Sequence, residues 1–124
     1  MSYQHILFEN RNGVAYITFN HPERRNSFDH EMMAEFGQAL LQCHDDPTVG
    51  VVVVTGAGDK GFCAGGYLAD LTDFSPAKAR KLFDNAVNGL TLMRRIRQPV
   101  IAAVNGAAIG GGAVQAMRGA VGVR

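Results

Sequence analysis

Four successive valines, Val51-Val52-Val53-Val54, constrain what this chain can fold into more than any other feature. β-branched side chains favour extended backbone, and a run that never alternates with polar residues cannot keep one face in water. Such a strand is expected to be covered on both faces, as in parallel sheets whose crossovers carry helices. The run therefore predicts an α/β fold, a parallel neighbour for this strand, and a loop from Gly56 to Gly61 after it.

The flanking segments supply the other layers. Ile6-Leu7-Phe8 and Val14-Ala15-Tyr16-Ile17-Thr18-Phe19 flank Asn10-Arg11-Asn12-Gly13, and Asn-Gly between two such runs signals an antiparallel hairpin. From Ser27 the period lengthens: Met32, Phe36, Ala39, Leu40 and Cys43 fall on one helical face until Asp45-Asp46-Pro47. A second helix is expected from Ser75-Pro76, with Ser as cap and Pro in the first turn, through Ala79, Leu82, Phe83, Val87, Leu90, Met93 and Ile96. Arg94, Arg95 and Arg97 near its end read as dipole compensation and a solvated face, with a subunit contact as the alternative. After Pro99 the segment Val100-Ile101-Ala102-Ala103-Val104 reads as a short buried strand ending at Asn105-Gly106. The order is β-β-α-β-α-β followed by a Gly-rich turn, with no internal repeat or low-complexity linker.

At 124 residues, 47% apolar and 19% charged, the chain is long enough for one core and too apolar for disorder. One domain, or part of one, is expected. A formal net charge of +1 without single-sign runs argues against a nucleic-acid or membrane-surface binder, though a small anionic ligand stays open. No apolar run approaches the roughly 18 residues that span a bilayer. Cys43 and Cys63 lack CxxC spacing and no signal sequence precedes them, so a reducing cytoplasm is the expected compartment.

Two glycine-rich turns are the candidates for chemistry. Gly56-Ala57-Gly58-Asp59-Lys60-Gly61 fits G-x-G-x-x-G, but a dinucleotide site needs a helix opening at the third glycine and an acidic residue closing a second strand about 20 residues later. Phe62-Cys63-Ala64-Gly65-Gly66 supplies two more glycines instead, and Asp70, Asp73 and Asp84 lie in or beside helical sequence. A phosphate-binding P-loop fails because no Gly-Lys-Ser/Thr follows at the right spacing. The remaining use is to present unpaired backbone N–H groups. Gly65-Gly66 and Gly110-Gly111-Gly112 could aim donors from separate turns at one oxygen, an arrangement worth about 10²–10³ in rate per donor where one has been removed. Taken alone, the glycines fit tight turns without catalytic duty better than a catalytic use.

Three blocks, taken together and in order, resemble the enoyl-CoA hydratase/isomerase (crotonase) family. They are Asn20-His21-Pro22-Glu23-Arg24-Arg25-Asn26-Ser27, Gly61-Phe62-Cys63-Ala64-Gly65-Gly66, and the stretch from Gln98-Pro99-Val100 through Asn105-Gly106-Ala107-Ala108-Ile109 to Gly110-Gly111-Gly112. The resemblance implies an α/β crotonase-like ββα superhelix, here truncated. Residues 1–124 would be a single incomplete domain, family-like to about Ala113, with an atypical tail over 114–124.

By the same resemblance, the amides of Gly66 and Gly111 would form an oxyanion hole for an acyl-CoA thioester carbonyl. Arg24 and Arg25 match the position that contacts CoA phosphates, Arg25 being the better candidate. Backbone groups near Ser27 and Ala64 would surround the adenine. Gly65 would allow close approach, and Tyr67 and Leu68 would line the acyl channel. Many members carry Asp where this chain has Tyr67, which leaves the acyl group open and suggests an aromatic or cyclic one by analogy. Coenzyme A would come as part of the substrate, no separate cofactor or metal is implied, and a complete protein would form a trimer or hexamer.

The remaining chemistry-bearing residues add little. His44 beside Asp45-Asp46 sits at a helix end without a second ligand pair, and His5, His21 and His30 read as isolated. Cys63 has no histidine placed by sequence to activate it, so both cysteines read as buried. Where hydratases commonly carry their first catalytic Glu, this chain has Val114, and no Asp or Glu follows Asp84. Two functions are therefore weighed: an acyl-CoA lyase or isomerase represented by its CoA-binding half, and a non-catalytic CoA-binding or subunit-interaction fragment.

Overall fold

A computed structural model describes residues 3–58, 61–63, 75–104, 107–108 and 122–123. Strands β1 (Ile6–Arg11) and β2 (Val14–Phe19) form the expected antiparallel hairpin, with Arg11 opposite Val14. Its two-residue turn places Asn12 at φ 53° and Gly13 at φ 89°, the double left-handed conformation that lets a turn follow the twist of the strands.

The chain then crosses through helix α1 (His30–Asp45) to β3 (Val51–Gly56), which lies parallel to β2 in the register Ala15 to Val52 and Ile17 to Val54. Helix α2 (Pro76–Arg95) spans the next crossover to β5 (Val100–Ala103), parallel to β3 on its other side. Between them, β4 (Gly61–Cys63) leaves the main sheet and pairs with β6 (Ala107–Ala108) in a separate two-stranded sheet. The last described residues form β7 (Gly122–Val123), so the main sheet runs β1-β2-β3-β5-β7.

The valine run does have parallel neighbours, one on each side, but its two faces differ. Val52 and Val54 are fully buried, with Ala15, Ile17, Phe19, Val100 and Ala102, in the cluster that contains Met32, Met33, Phe36, Ala39, Leu40 and Cys43 of α1. Val51 and Val53 on the opposite face are only half-buried. Helix α1 begins three residues after Ser27: Asp29 is the cap, its carboxylate accepting from the Met32 N–H at 2.7 Å.

Helix α2 packs along α1 through facing glycines. A Cβ on Gly89 would come within 2.9 Å of Phe36 Cδ2 and 3.3 Å of Met33 Cε, both in fully buried side chains. A Cβ on Gly37 would meet Asn88 Nδ2 at 2.9 Å, the tip of an exposed side chain. Past α2, Arg97 donates to the carbonyls of His44 and Asp46, and buried Gln98 donates to those of Cys43 and Val49. These two side chains tie the end of the second crossover to the α1–β3 turn, which gives Arg97 a structural use beyond a solvated face. Phe83 and Val87 remain exposed on α2, and among the described residues no helix is long and apolar enough to cross a membrane.

The two glycines should respond differently to alanine. Gly89→Ala gains about 1 kcal/mol of helix propensity but overpacks a wholly buried ring at a cost of about 1–3 kcal/mol. It should lower the urea midpoint, while Gly37→Ala should leave it unchanged or raise it because Asn88 can swing away.

Candidate functional site

The segment after β2 carries two consecutive non-glycine residues in the left-handed region. A single 3₁₀ turn, Pro22–Arg24, follows the strand, and then Arg25 stands at φ 56° and Asn26 at φ 58°. Asparagine tolerates this conformation; arginine adopts it at a cost on the order of 1 kcal/mol, so something must hold the loop.

The Asn26 side chain is that restraint. Asn26 is fully buried, accepts from the His21 N–H at 2.8 Å, and donates to the carbonyls of Ala57 and Gly61 at 3.0 and 2.7 Å. One amide thus joins the loop after β2 to both sides of the turn between β3 and β4. Glycine is required at that turn for close approach: a Cβ on Gly56 would lie 2.5 Å from the Gly61 carbonyl oxygen, and one on Gly61 would lie 2.7 Å from that of Arg25. Two glycines of the G-x-G-x-x-G pattern therefore serve chain packing, and Gly61 opens a strand rather than the helix a dinucleotide site needs.

The paired arginines have different surroundings. Arg24 is half-buried and committed, donating from Nε to the Ser27 carbonyl at 3.1 Å and from Nη2 to Asp29 Oδ2 at 3.0 Å. Burial alone would raise the Asp29 carboxyl; the Met32 N–H, the Arg24 hydrogen bond and the Arg24 charge outweigh it and hold the group below the ordinary carboxylate range. The stability it contributes is present above the ordinary carboxylate pKa and lost as pH falls through the lowered one. Arg25 is exposed, and among the described residues its guanidinium has no hydrogen-bond or ion-pair partner. Ser27 is buried, and its N–H donates to the Arg24 carbonyl at 3.2 Å.

Strands β4 and β6 run parallel, Gly61 opposite Ala107 and Cys63 opposite Ala108, so two residues of β4 advance against one of β6. Phe62 at this bulge is fully buried, its ring edge-on to Phe19 with centroids 5.8 Å apart. In the sequence, Ala64-Gly65-Gly66 follows the paired Cys63 and Ile109-Gly110-Gly111 follows the paired Ala108.

Comparison with known proteins decides the family. The model of the enoyl-CoA hydratase/isomerase family matches residues 9–121. The chain belongs to the enoyl-CoA hydratase/isomerase family. It is 35% identical over 117 residues to a crotonyl-CoA hydratase of Syntrophomonas wolfei, covering 94% of this chain and 45% of that protein. It is 36% identical over 109 residues to an (E)-benzylidenesuccinyl-CoA hydratase of Thauera aromatica, covering 86% of this chain and 41% of that one. The fold resembles the crystal structure of an enoyl-CoA hydratase from Bacillus anthracis with a TM-score of 0.91 at 29% identity, over 96% of this chain and 46% of the other. The α/β crotonase fold expected from the motifs is thus present over the part this chain spans, which is less than half the length of these relatives.

Of the family positions expected to form the site, the structure describes Arg24, Arg25 and Ser27, all within the loop that Asn26 holds. Ala64, Gly65, Gly66, Tyr67, Leu68 and Gly111 lie outside the described residues. Both cysteines are fully buried, as expected, and burial, with the Asp46 charge adding to it, pushes the Cys43 thiol up to about 11. It stays a protonated core group at neutral pH. His44 accepts from the Arg97 N–H at 3.1 Å at the helix end. His5 and His21, however, are not isolated: their rings meet, Nδ1 of His5 lying 2.9 Å from Nε2 of His21. The hairpin register brings them together, since Ile6 opposes Phe19 and the strand ends just beyond follow suit. That register was readable from the Asn12-Gly13 turn, the signal that could have found the pair.

Asn26→Ala leaves the His21 donor and the Ala57 and Gly61 acceptors without their partner. It should cost about 3 kcal/mol in chemical denaturation, with Asn26→Gly costing about 1 kcal/mol less because the left-handed strain is relieved. A loss below about 1 kcal/mol for Asn26→Ala would show that the loop is held by other contacts.

Proposed function

We propose that this chain binds an acyl-CoA thioester and polarises its carbonyl between two backbone donors, the N–H groups of Gly66 and Gly111. The observation that carries this reading is the parallel pairing of Cys63 with Ala108. Each proposed donor follows its paired residue by three positions in the sequence. Parallel neighbours are separated by about 4.8 Å, and turns that start so close can bring two amides to one oxygen. The names of the relatives, both hydratases of CoA thioesters, support acyl-CoA as the ligand class.

Arg25 is the proposed phosphate anchor. It is the exposed member of the arginine pair, it projects from a loop fixed by a buried amide, and a guanidinium matches phosphate through paired donors. Arg24 acts through the loop, bracing the cap of α1, and backbone groups near Ser27 and Ala64 would meet the adenine. Tyr67 and Leu68 would border the acyl group. The relative named for a benzylidenesuccinyl thioester supports an aromatic acyl group as one this framework can serve.

The second reading, CoA binding without efficient turnover by this chain itself, is favoured by one sequence observation. Oxyanion donors stabilise charge on the thioester oxygen, but hydration or isomerisation also needs a proton moved at carbon, and no Asp or Glu follows Asp84 among these residues. Positioned acid/base groups contribute about 10²–10⁴ in rate, and this chain would lack that share.

Calorimetric titration with CoA and with a short enoyl-CoA tests both. Both ligands should bind, and the enoyl-CoA should remain largely unhydrated during the titration. Arg25→Ala should weaken both ligands about tenfold without loss of stability, whereas Arg24→Ala should lower the melting temperature through the lost Asp29 partner. Equal CoA affinity in the Arg25→Ala protein would remove the anchor.

A further inference from the structure

The cluster at the open end of the β1–β2 hairpin meets the proposed CoA loop through the Arg24–Asp29 pair and the His21 N–H, and it holds the donor set of a metal site. One ring nitrogen each of His5 and His21 and a carboxylate oxygen of Asp29 lie within 4.8 Å of one another. The three come from separate places: the residue before β1, the residue after Asn20 beyond β2, and the cap of α1. Each is held by hydrogen bonds of its own. The His5 N–H donates to Glu35 Oε1 at 2.7 Å and its carbonyl accepts from Asn20; the His21 N–H donates to Asn26; Asp29 caps α1. All three side chains are mostly covered, at 17%, 20% and 13% exposure.

The outer nitrogens decide what the inner ones can do. His5 Nε2 lies 3.2 Å from Glu31 Oε2, and His21 Nδ1 lies 3.1 Å from Glu23 Oε1. A carboxylate can only accept, so in each neutral ring the proton belongs on the nitrogen facing glutamate. The inner nitrogens then both present lone pairs, 2.9 Å apart, and one nitrogen of each ring lies within 4.8 Å of an Asp29 carboxylate oxygen. Facing lone pairs repel; a cation between them turns the repulsion into coordination. Imidazole held from behind by a carboxylate is also how proteins orient metal-bound histidine. Three carboxylates, Glu23, Glu31 and Asp29, surround the pair, with Arg24 the cation bound to Asp29.

We propose that His5, His21 and Asp29 bind a divalent transition metal ion of the zinc class, with Glu31 and Glu23 orienting the two imidazoles. Two nitrogens and one carboxylate oxygen suit zinc or cobalt better than magnesium or calcium, which prefer all-oxygen sets. At metal–nitrogen distances of about 2.0–2.1 Å a tetrahedral ion separates its nitrogen ligands by about 3.3 Å, so the rings need to part by only a few tenths of an ångström. With three protein ligands the fourth position goes to water. The ion joins the start of β1, the end of β2 and the start of α1, and competes with Arg24 for Asp29.

The untagged full chain, stripped with a chelator, is titrated with Co²⁺ and with Zn²⁺. One equivalent of Co²⁺ should bind with the intense visible absorption of a tetrahedral site, Zn²⁺ should displace it, and Zn²⁺ should raise the melting temperature. Glu31→Gln should weaken Co²⁺ by about 10–100-fold while keeping the spectrum, and His5→Gln or His21→Gln should abolish it. Asp29→Asn, which keeps the helix cap, should change the spectrum, and His44→Gln at the far helix end should change nothing. Absence of a tetrahedral Co²⁺ spectrum in the unaltered chain overturns the proposal, as does unchanged binding in both His5→Gln and His21→Gln. A proton shared between the rings with no displacement by metal, read from imidazole NMR signals, overturns it equally.

Discussion

The fold around the proposed binding loop depends on one buried amide. Asn26 is placed in the left-handed region next to a second residue in the same region, a conformation that the local sequence would not hold by itself. What holds it is the hydrogen bonding of its side chain to His21, Ala57 and Gly61, three points on two loops that sequence separates by up to 35 residues. Because the amide is buried, each of those bonds is expensive to lose, and the two loops are tied to one another. The glycines at 56 and 61 follow from the same constraint, since any side chain there would push the loops apart. Arg25 is then displayed toward solvent by a rigid turn, and β4 is set on its course beside β6.

Behind that loop the core is arranged to keep it in place. Phe19 at the end of β2 meets Phe36 of α1 and Phe62 of β4 edge-on, with centroids 5.3 and 5.8 Å apart. The ring of Phe36 in turn leaves no room for a side chain at position 89 of α2. A path of close contacts therefore runs from the helix pair through the aromatic cluster to the strand that leads into Ala64. Arg97 and Gln98 close the other end of the helix pair onto the α1–β3 turn. Binding sites need this kind of support, because donors held loosely gain little over water.

Much of this was legible in the sequence, and the reasons are local. The Asn12-Gly13 turn, the helical period from Met32 to Cys43 and from Leu82 to Ile96, and the apolar runs at Val51 and Val100 each declare an element through their own neighbours. The family resemblance added the order of the motifs, which no single glycine turn could supply. Strands β4 and β6 escaped because three and two residues carry no period; only the partner makes them strands. The tail's Gly122-Val123 joined β5 for the same reason. Asn26 read as one letter of a motif, although its work is long-range. The two faces of the valine run looked equal in sequence and differ in burial, since alternation of environment need not be written as alternation of polarity.

On the proposed function, the glycine segments that follow Cys63 and Ala108 serve a single thioester oxygen. Backbone amide NMR on the isotope-labelled chain reads this directly, by comparing shifts on adding free CoA with those on adding a short enoyl-CoA. Amides around Arg25 and Ser27 should move with both ligands, while those of Gly66 and Gly111 should move together and only with the thioester. If the enoyl-CoA saturates the protein and leaves both glycine amides where free CoA leaves them, the oxyanion reading is wrong.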